Sequence, residues 1–241
     1  MASFFGETVF PPSRAFLDDK DEYEVIDSEP CLKLHVRWVK NKPTHMRKFI
    51  LMEGDSLISF MQQYLLYKLE EACIIENENG TKVSTIYHQT DKDIYLCIIL
   101  PGFDIKVAGK FIKEISDLLL GANSIISIVC NHVSRFKSTN VPEIPSFLRI
   151  LVTRKAHDIT ELDRNIKSLE QPNLIFGVGA GVLSYSELRQ MSAKLYILYI
   201  DSLAMDSKCA EPILQVLNNE MHCELQPKFV DNFFSKGNLY M

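Results

Sequence analysis

The stretch Ser124-Ile125-Ile126-Ser127-Ile128-Val129-Cys130 is apolar at nearly every position, interrupted only by two small serines. A strand with one wet face alternates apolar and polar residues, whereas a strand covered on both faces reads as a continuous apolar run. The run therefore predicts an interior strand with other layers above and below it. What precedes it agrees. From Asp104 onward, Val107, Phe111, Ile115 and Leu118 recur at helical spacing, and Gly121 is expected to supply the left-handed residue that ends the helix. A helix that hands directly to a buried strand is the repeating unit of an α/β fold.

Nearer the start of the chain, Leu32, Leu34, Val36 and Trp38 alternate with Lys33, His35 and Arg37, as a half-buried strand requires. Residues 48–52 form a second, more buried strand run. Asp55-Ser56 offer N-caps for an amphipathic helix carrying Leu57, Met61, Leu65 and Lys68, with Ile58 and Tyr64 alongside. Residues 83–88 and 94–100 read as an antiparallel pair joined by Thr90-Asp91-Lys92-Asp93, and Pro101-Gly102 ends the second. Downstream, the pattern predicts a strand at 174–176, a helix over 182–191, a strand at 195–200, a helix over 206–221 and a short helix near 228–234. The alternation predicts a three-layer α/β/α sandwich with a mixed sheet. One domain, 31–235, is expected between an N-terminal arm, 1–30, and a C-terminal tail, 236–241.

Composition narrows the function classes. The chain has 241 residues, 46% of them apolar, with ten glycines and ten prolines, enough to bury a large core. A net charge of −5 leaves no basic stripe to displace counterions from phosphates, so nucleic acid is not an expected partner. The six cysteines, at 31, 73, 97, 130, 209 and 223, form no C-x-x-C pair and read as reduced core thiols. Met1-Ala2-Ser3-Phe4-Phe5-Gly6-Glu7 lacks a basic n-region and a long apolar h-region, which predicts no secretion signal. No apolar stretch reaches about eighteen residues, so no spanning helix is expected. Between Asp18 and Glu29 stand seven carboxylates against one lysine; such a segment repels itself, and the arm is expected to be mobile or a solvated loop.

Residues that could carry catalysis do not assemble into a set. Gly177-Val178-Gly179-Ala180-Gly181 lies between strand and helix, where a glycine-rich turn can offer backbone N–H groups to a phosphate. Val182 stands where a dinucleotide fingerprint needs its last glycine, and the P-loop ending is missing. Nucleotide or nucleoside binding at this turn is the alternative reading of the chain. Ser184 lacks the G-x-S-x-G elbow and reads as a helix or turn hydroxyl. Cys130-Asn131-His132 and His222-Cys223 each supply at most two soft ligands, too few for zinc. His35, His45, His88 and His157 sit among polar neighbours and read as solvated imidazoles. No cofactor, metal or catalytic residue is assigned.

Several blocks occur in an order that resembles the proteasome assembly chaperone family. They are Ser3-Phe4-Phe5-Gly6-Glu7 before the acidic arm, His132-Val133, Pro145-Ser146-Phe147-Leu148-Arg149, Leu169-Glu170-Gln171-Pro172-Asn173, Val182-Leu183-Ser184-Tyr185 and Ile197-Leu198-Tyr199-Ile200-Asp201. The tail Leu239-Tyr240-Met241 is similar to that family's hydrophobic-Tyr-any ending. The 177–181 glycine run departs from the family's pattern. The resemblance implies a non-enzymatic chaperone whose sandwich is related in shape to nucleoside phosphorylases. It further implies a heterodimer with proteasome assembly chaperone 2 that docks on the α subunits of the assembling 20S proteasome. There it would promote ring formation and prevent off-pathway assembly, in the cytoplasm, with the nucleus and the endoplasmic reticulum as further sites.

The tail would act as one anchor of that grip. Leu239 would fill an apolar groove between α subunits, Tyr240 would pack its ring on the groove wall, and the Met241 carboxylate would pair with a lysine at the floor. By composition, about two tripeptides in a hundred would match this pattern. The motif therefore gains weight only from the blocks upstream.

Overall fold

The computed structural model describes residues 33–138, 142, 144–202 and 205–224. The acidic arm, Cys31, Leu32, the helix expected near 228–234 and the tail with Leu239, Tyr240 and Met241 lie outside the described residues.

Eight strands form one sheet: β1 (Leu34–Trp38), β2 (Met46–Glu53), β3 (Glu70–Asn77), β4 (Lys82–Gln89), β5 (Ile94–Ile99), β6 (Ala122–His132), β7 (Ser146–Val152) and β8 (Ala193–Ile200). Their order across the sheet is β1-β3-β4-β5-β2-β6-β8-β7. The middle strands β5, β2, β6 and β8 run parallel, and antiparallel pairs flank them on both sides. The sheet is therefore mixed, as predicted. The apolar run 124–130 lies within β6, hydrogen-bonded in parallel to β2 and β8, with Ile126 opposite Ile50 on one side and Lys194 on the other.

The helices are α1 (Asp55–Tyr64), α2 (Ala108–Glu114), α3 (Ser116–Gly121), α4 (Glu161–Asn165), α5 (Val178–Leu188) and α6 (Ser207–Met221). Strand residues of alternating parity serve opposite faces. Ile50, Met52, Ile126, Ile128 and Leu198 pack under Leu57, Ile58 and Met61 of α1 and Ile213, Leu214 and Leu217 of α6. Phe49, Leu51, Cys97 and Ile125 pack under Phe111 of α2, Leu118 of α3, and Val178 and Val182 of α5. Helices thus cover both faces, and this is why the central strands show no alternation. Each fully buried side chain such as Phe111 stabilises the fold by about 1.5–3 kcal/mol.

Several local expectations need correction. The stripe from Val107 to Leu118 is buried throughout, but the helix is broken: a 3-10 turn, Ile105–Val107, precedes α2, and Ile115 separates α2 from α3 with φ −92° and ψ 1°. Gly121 is the last residue of α3 and not a left-handed cap; a Cβ there would overlap the carbonyl oxygen of Thr44. Gly54, not Asp55 or Ser56, is the N-cap of α1, and Asp55 serves as a first-turn acid. Residues 174–176 form no strand, because only Ile175 turns inward, against the cluster around Phe136 and Phe147. Strands β3 and β7 escaped the sequence reading. His88 is not solvated: its ring stacks on Tyr95 at 4.2 Å.

Candidate functional site

The parallel strands give the sheet two chemically different ends. At their C-terminal ends lies an open crevice of about 490 Å³, walled by Glu53 at the end of β2 and Asp55 just beyond it, Leu100 and Phe103 after β5, and Asn131 near the end of β6 and Arg135 after it. Strand β2 sits between β5 and β6, and the helices that follow β2 and β5 pack on opposite faces of the sheet. Their loops diverge at β2, the kind of position where open α/β sheets bind ligands.

The 177–181 run borders this crevice, and the structure revises its reading. Helix α5 begins at Val178, so Gly179 and Gly181 lie inside the helix and Gly177 is its N-cap, with φ +107°. The helix N-terminus is already filled. Glu53 Oε2 accepts from the Gly179 N–H at 2.8 Å, so a carboxylate of the protein stands where a phosphate would have to bind. Burial pushes the Glu53 carboxyl up from its ordinary range, and the Gly179 and Val178 amides offset part of that rise. A Cβ on Gly177 would overlap this carboxylate. The glycines let Glu53 approach α5, and an incoming phosphate would meet like charge.

On the crevice rim, residues 170–176 form a loop that is held firmly and yet displays apolar side chains. Arg149 makes a two-pronged pair with Glu170, at 2.8 and 3.2 Å, while its guanidinium lies over the rings of Phe136 and Phe147 at 4.9 and 4.8 Å. Asn173 accepts from the Lys137 amide at 2.7 Å and donates to the carbonyls of Lys137 and Glu170. Beyond these anchors Leu174 is 75% and Phe176 70% exposed. Ile105, also exposed, faces the same crevice. A second apolar surface, with Leu151, Val152, Leu183 and Leu188 around a shallow depression of about 560 Å³, lies between β7 and α5.

The N-terminal ends of the parallel strands are closed. Lys194, the second residue of β8, is fully buried, with its Nζ 2.6 Å from Glu220 Oε1 on α6, 3.1 Å from Asp163 Oδ2 on α4 and 3.8 Å from Asp158 Oδ2. Lys48 of β2 reaches Glu220 Oε2 at 2.5 Å. The Tyr196 hydroxyl donates to Asp163 Oδ1 at 2.5 Å and also lies 3.1 Å from Glu220 Oε1. Ser124 and Ser192 donate to the two oxygens of Asp158, so every carboxylate oxygen of the three acids has a donor. Burial alone would raise Asp158 and Asp163, but these donors and Lys194 hold both below the usual carboxylate range. Burial likewise works against the Lys194 ammonium, and Glu220, Asp158 and Asp163 outweigh it and raise its pKa. A saturated network of this kind binds strands to helices and leaves no group free for chemistry.

The remaining candidates resolve individually. Ser184 is a helix hydroxyl, donating to Ala180 O at 3.0 Å. Cys73, Cys97, Cys130, Cys209 and Cys223 are free thiols, and burial pushes Cys97 and Cys130 up to about 12, far from the reactive thiolate range. His132 is held by Ser134 and by the Asp201 carbonyl, and His222 caps α6 beside Arg47. Among the described residues no His, Cys, Asp and Glu cluster could hold a metal, and no helix is long and apolar enough to cross a membrane. Sequence reasoning missed Glu53, Arg149 and Lys194. The signal for Lys194 was a lysine at the edge of an otherwise apolar strand run.

A family model described as Proteasome assembly chaperone 4 matches residues 111–236, more than half of the chain. Proteasome assembly chaperone 1 of Homo sapiens is 25% identical over 257 residues, covering 90% of this chain and 88% of that protein. The Danio rerio protein of the same name is 25% identical over 263 residues, covering 93% and 92%. The crystal structure of Pyrococcus furiosus PbaA, an archaeal homolog of proteasome-assembly chaperone, superposes with a TM-score of 0.60 at 14% identity, over 80% of this chain and 84% of that one. Pyrococcus furiosus PbaB, an archaeal proteasome activator, superposes with a TM-score of 0.54 at 16% identity, over 80% and 91%. These two structures bear on the fold alone.

Proposed function

The chain belongs to the proteasome assembly chaperone family, and from that premise we propose that it is a non-enzymatic chaperone of 20S proteasome assembly. It pairs with proteasome assembly chaperone 2 in the cytoplasm, and the heterodimer holds α subunits, promoting ring formation and preventing off-pathway assembly. The working parts are an acidic arm over 1–30, one α/β domain over 31–235 and a tail over 236–241. The observation that carries the reading is correspondence along most of both chains with proteasome assembly chaperone 1 of Homo sapiens. Supporting it, the described polar clusters are saturated and the Gly177 turn already holds a carboxylate, while apolar side chains stand exposed on anchored backbone.

Leu239, Tyr240 and the Met241 carboxylate form a terminal anchor that enters a pocket between α subunits. Burying a leucine stabilises by roughly 1.5–3 kcal/mol at best, and ordering each residue costs about 1–2 kcal/mol, so such a tail binds weakly without a body to concentrate it at its pocket. Deleting Leu239-Tyr240-Met241 is expected to weaken capture of α subunits and to leave the chaperone heterodimer intact. Adding one glycine after Met241 moves the carboxylate and little else, and it should weaken capture similarly. Equal α-subunit binding by native, truncated and extended chains would count against the anchor.

A further inference from the structure

We propose that the crevice at the C-terminal ends of β5, β2 and β6 is a protein-docking site, taking a partner segment in which a carboxylate flanks an aliphatic or aromatic side chain. The inference names a surface and its occupant, and it rests on the assembly reading only for which proteins supply that segment.

Three features of the crevice lead to this occupant. The first is charge. Arg135, exposed in the turn Val133–Arg135 after β6, has no carboxylate partner among the described residues, whereas Glu53 is engaged by the start of α5 and His132 by Ser134 and the Asp201 carbonyl. A guanidinium free beside apolar walls favours a carboxylate, to which it can offer two parallel donors. Asp55 also lines the crevice, so a polyanion is disfavoured and a single, placed carboxylate is preferred.

The second feature is apolar surface. Phe103, Leu100, Ile105 and Phe176 line the crevice, and Leu174, two residues before Phe176 on the same loop, is exposed as well. Leu174 and Phe176 project outward, at 75% and 70% exposure, so a small metabolite seated in 490 Å³ would leave much of their surface wet. A polypeptide running over the rim covers it. The third is preorganisation. The Arg149–Glu170 pair and the three Asn173 hydrogen bonds fix the loop before any partner arrives, so docking need not order it. Anchored backbone carrying exposed aromatic and aliphatic groups is what protein-binding hot spots use.

The test uses the full chain and two readouts. In fluorescence anisotropy, labelled twelve-residue peptides carrying Leu or Phe beside Asp or Glu should bind the native protein. The same peptides with Gln or Asn for the acid should bind at least tenfold more weakly. Arg135→Glu and Leu174→Ser/Phe176→Ser should each weaken the acidic peptides at least tenfold, Asp55→Asn should not weaken them, and Leu188→Ser on the other apolar surface should have no effect. All substituted side chains are exposed, and circular dichroism with thermal melts confirms folding. Absence of binding, or equal binding of acidic and amide peptides, overturns the proposal. So does tight binding of a small aromatic carboxylate such as phenylacetate at the site with no peptide bound.

The second readout is capture of purified proteasome assembly chaperone 2 and of α subunits by the same variants. Loss of either in Arg135→Glu and Leu174→Ser/Phe176→Ser, with Leu188→Ser unaffected, supports the site. Peptide binding without capture of any proteasome component leaves the docking site standing and removes the assembly reading. Capture that ignores all crevice variants does the reverse.

Discussion

The two ends of the parallel sheet both carry charged groups and put them to opposite uses. At the N-terminal ends, Lys194, Lys48, Asp158, Asp163, Glu220 and Tyr196 satisfy one another away from water. At the C-terminal ends, Glu53 is consumed by the start of α5, Arg135 meets no carboxylate among the described residues, and Phe176 and Ile105 face solvent. Polar groups that close on themselves specify a fold. Polar groups left open beside exposed apolar surface specify a partner. The useful distinction is therefore saturation, and charge content alone would have ranked the wrong end first.

The comparison is broken most severely at Lys194. Lys194→Met removes the ammonium at the centre of three buried or half-buried carboxylates, and leaving them uncompensated is expected to cost about 3–5 kcal/mol, read in chemical denaturation. A loss under 1 kcal/mol would mean that the network is not holding the layers together.

Titration reaches the same cluster more gradually. Asp158 and Asp163 have folded pKa values below their unfolded ones, so their contribution is complete above about pH 4, the ordinary carboxylate range, and is lost as pH falls through the folded values. Lys194 has a raised folded pKa, so its contribution is complete below about pH 10 and is lost as pH rises through the folded value. Thermal melts across pH should therefore fall at both extremes, and Lys194→Met should flatten the alkaline limb.

At the open end the expected stability effects are smaller. Gly177→Ala places a Cβ against the Glu53 carboxylate at a positive φ and should cost about 1–3 kcal/mol. Glu53→Gln keeps an acceptor for the Gly179 amide and removes a desolvated charge, so at neutral pH it should change stability by less than about 1 kcal/mol. A large loss from Glu53→Gln would show that the ionised carboxylate, and not the acceptor, matters to α5. Smallest of all, Phe176→Ser should alter stability by no more than about 0.5 kcal/mol, because its ring is exposed.

The elements that were legible share a property: their neighbours are covered by the rest of the fold in a periodic way. Strand β1 alternates because one face is half wet, and β2, β6 and β8 are continuous because both faces are covered. Helix α6 announces itself through Asp206, whose side chain accepts from the Cys209 amide. Strand β3 hid because its buried core is only Ala72-Cys73-Ile74-Ile75 between glutamates, with register shifts against β4. Strand β7 hid because Arg149 interrupts it, a charge made tolerable by Glu170 and two aromatic rings. The break at Ile115 hid because its side chain stays on the buried stripe while its backbone leaves the helix. The crevice was legible in no part: its walls come from Glu53, Leu100, Arg135 and Phe176, which are distant in sequence.

The amino-acid sequence by itself determined the layered class, through hydrophobic periodicity, and pointed to the family through ordered blocks, because both are recorded in residues near one another along the chain. Only the tertiary structure decided which charges are spent and which remain available. In the sequence Lys194 is marked only by its place at the edge of an apolar run, and nothing there says that its fate differs from that of Arg135. One meets Asp158, Asp163 and Glu220 across long loops, and the other meets no carboxylate among the described residues. Electrostatic pairing depends on distance in space, and the folded chain alone sets that distance.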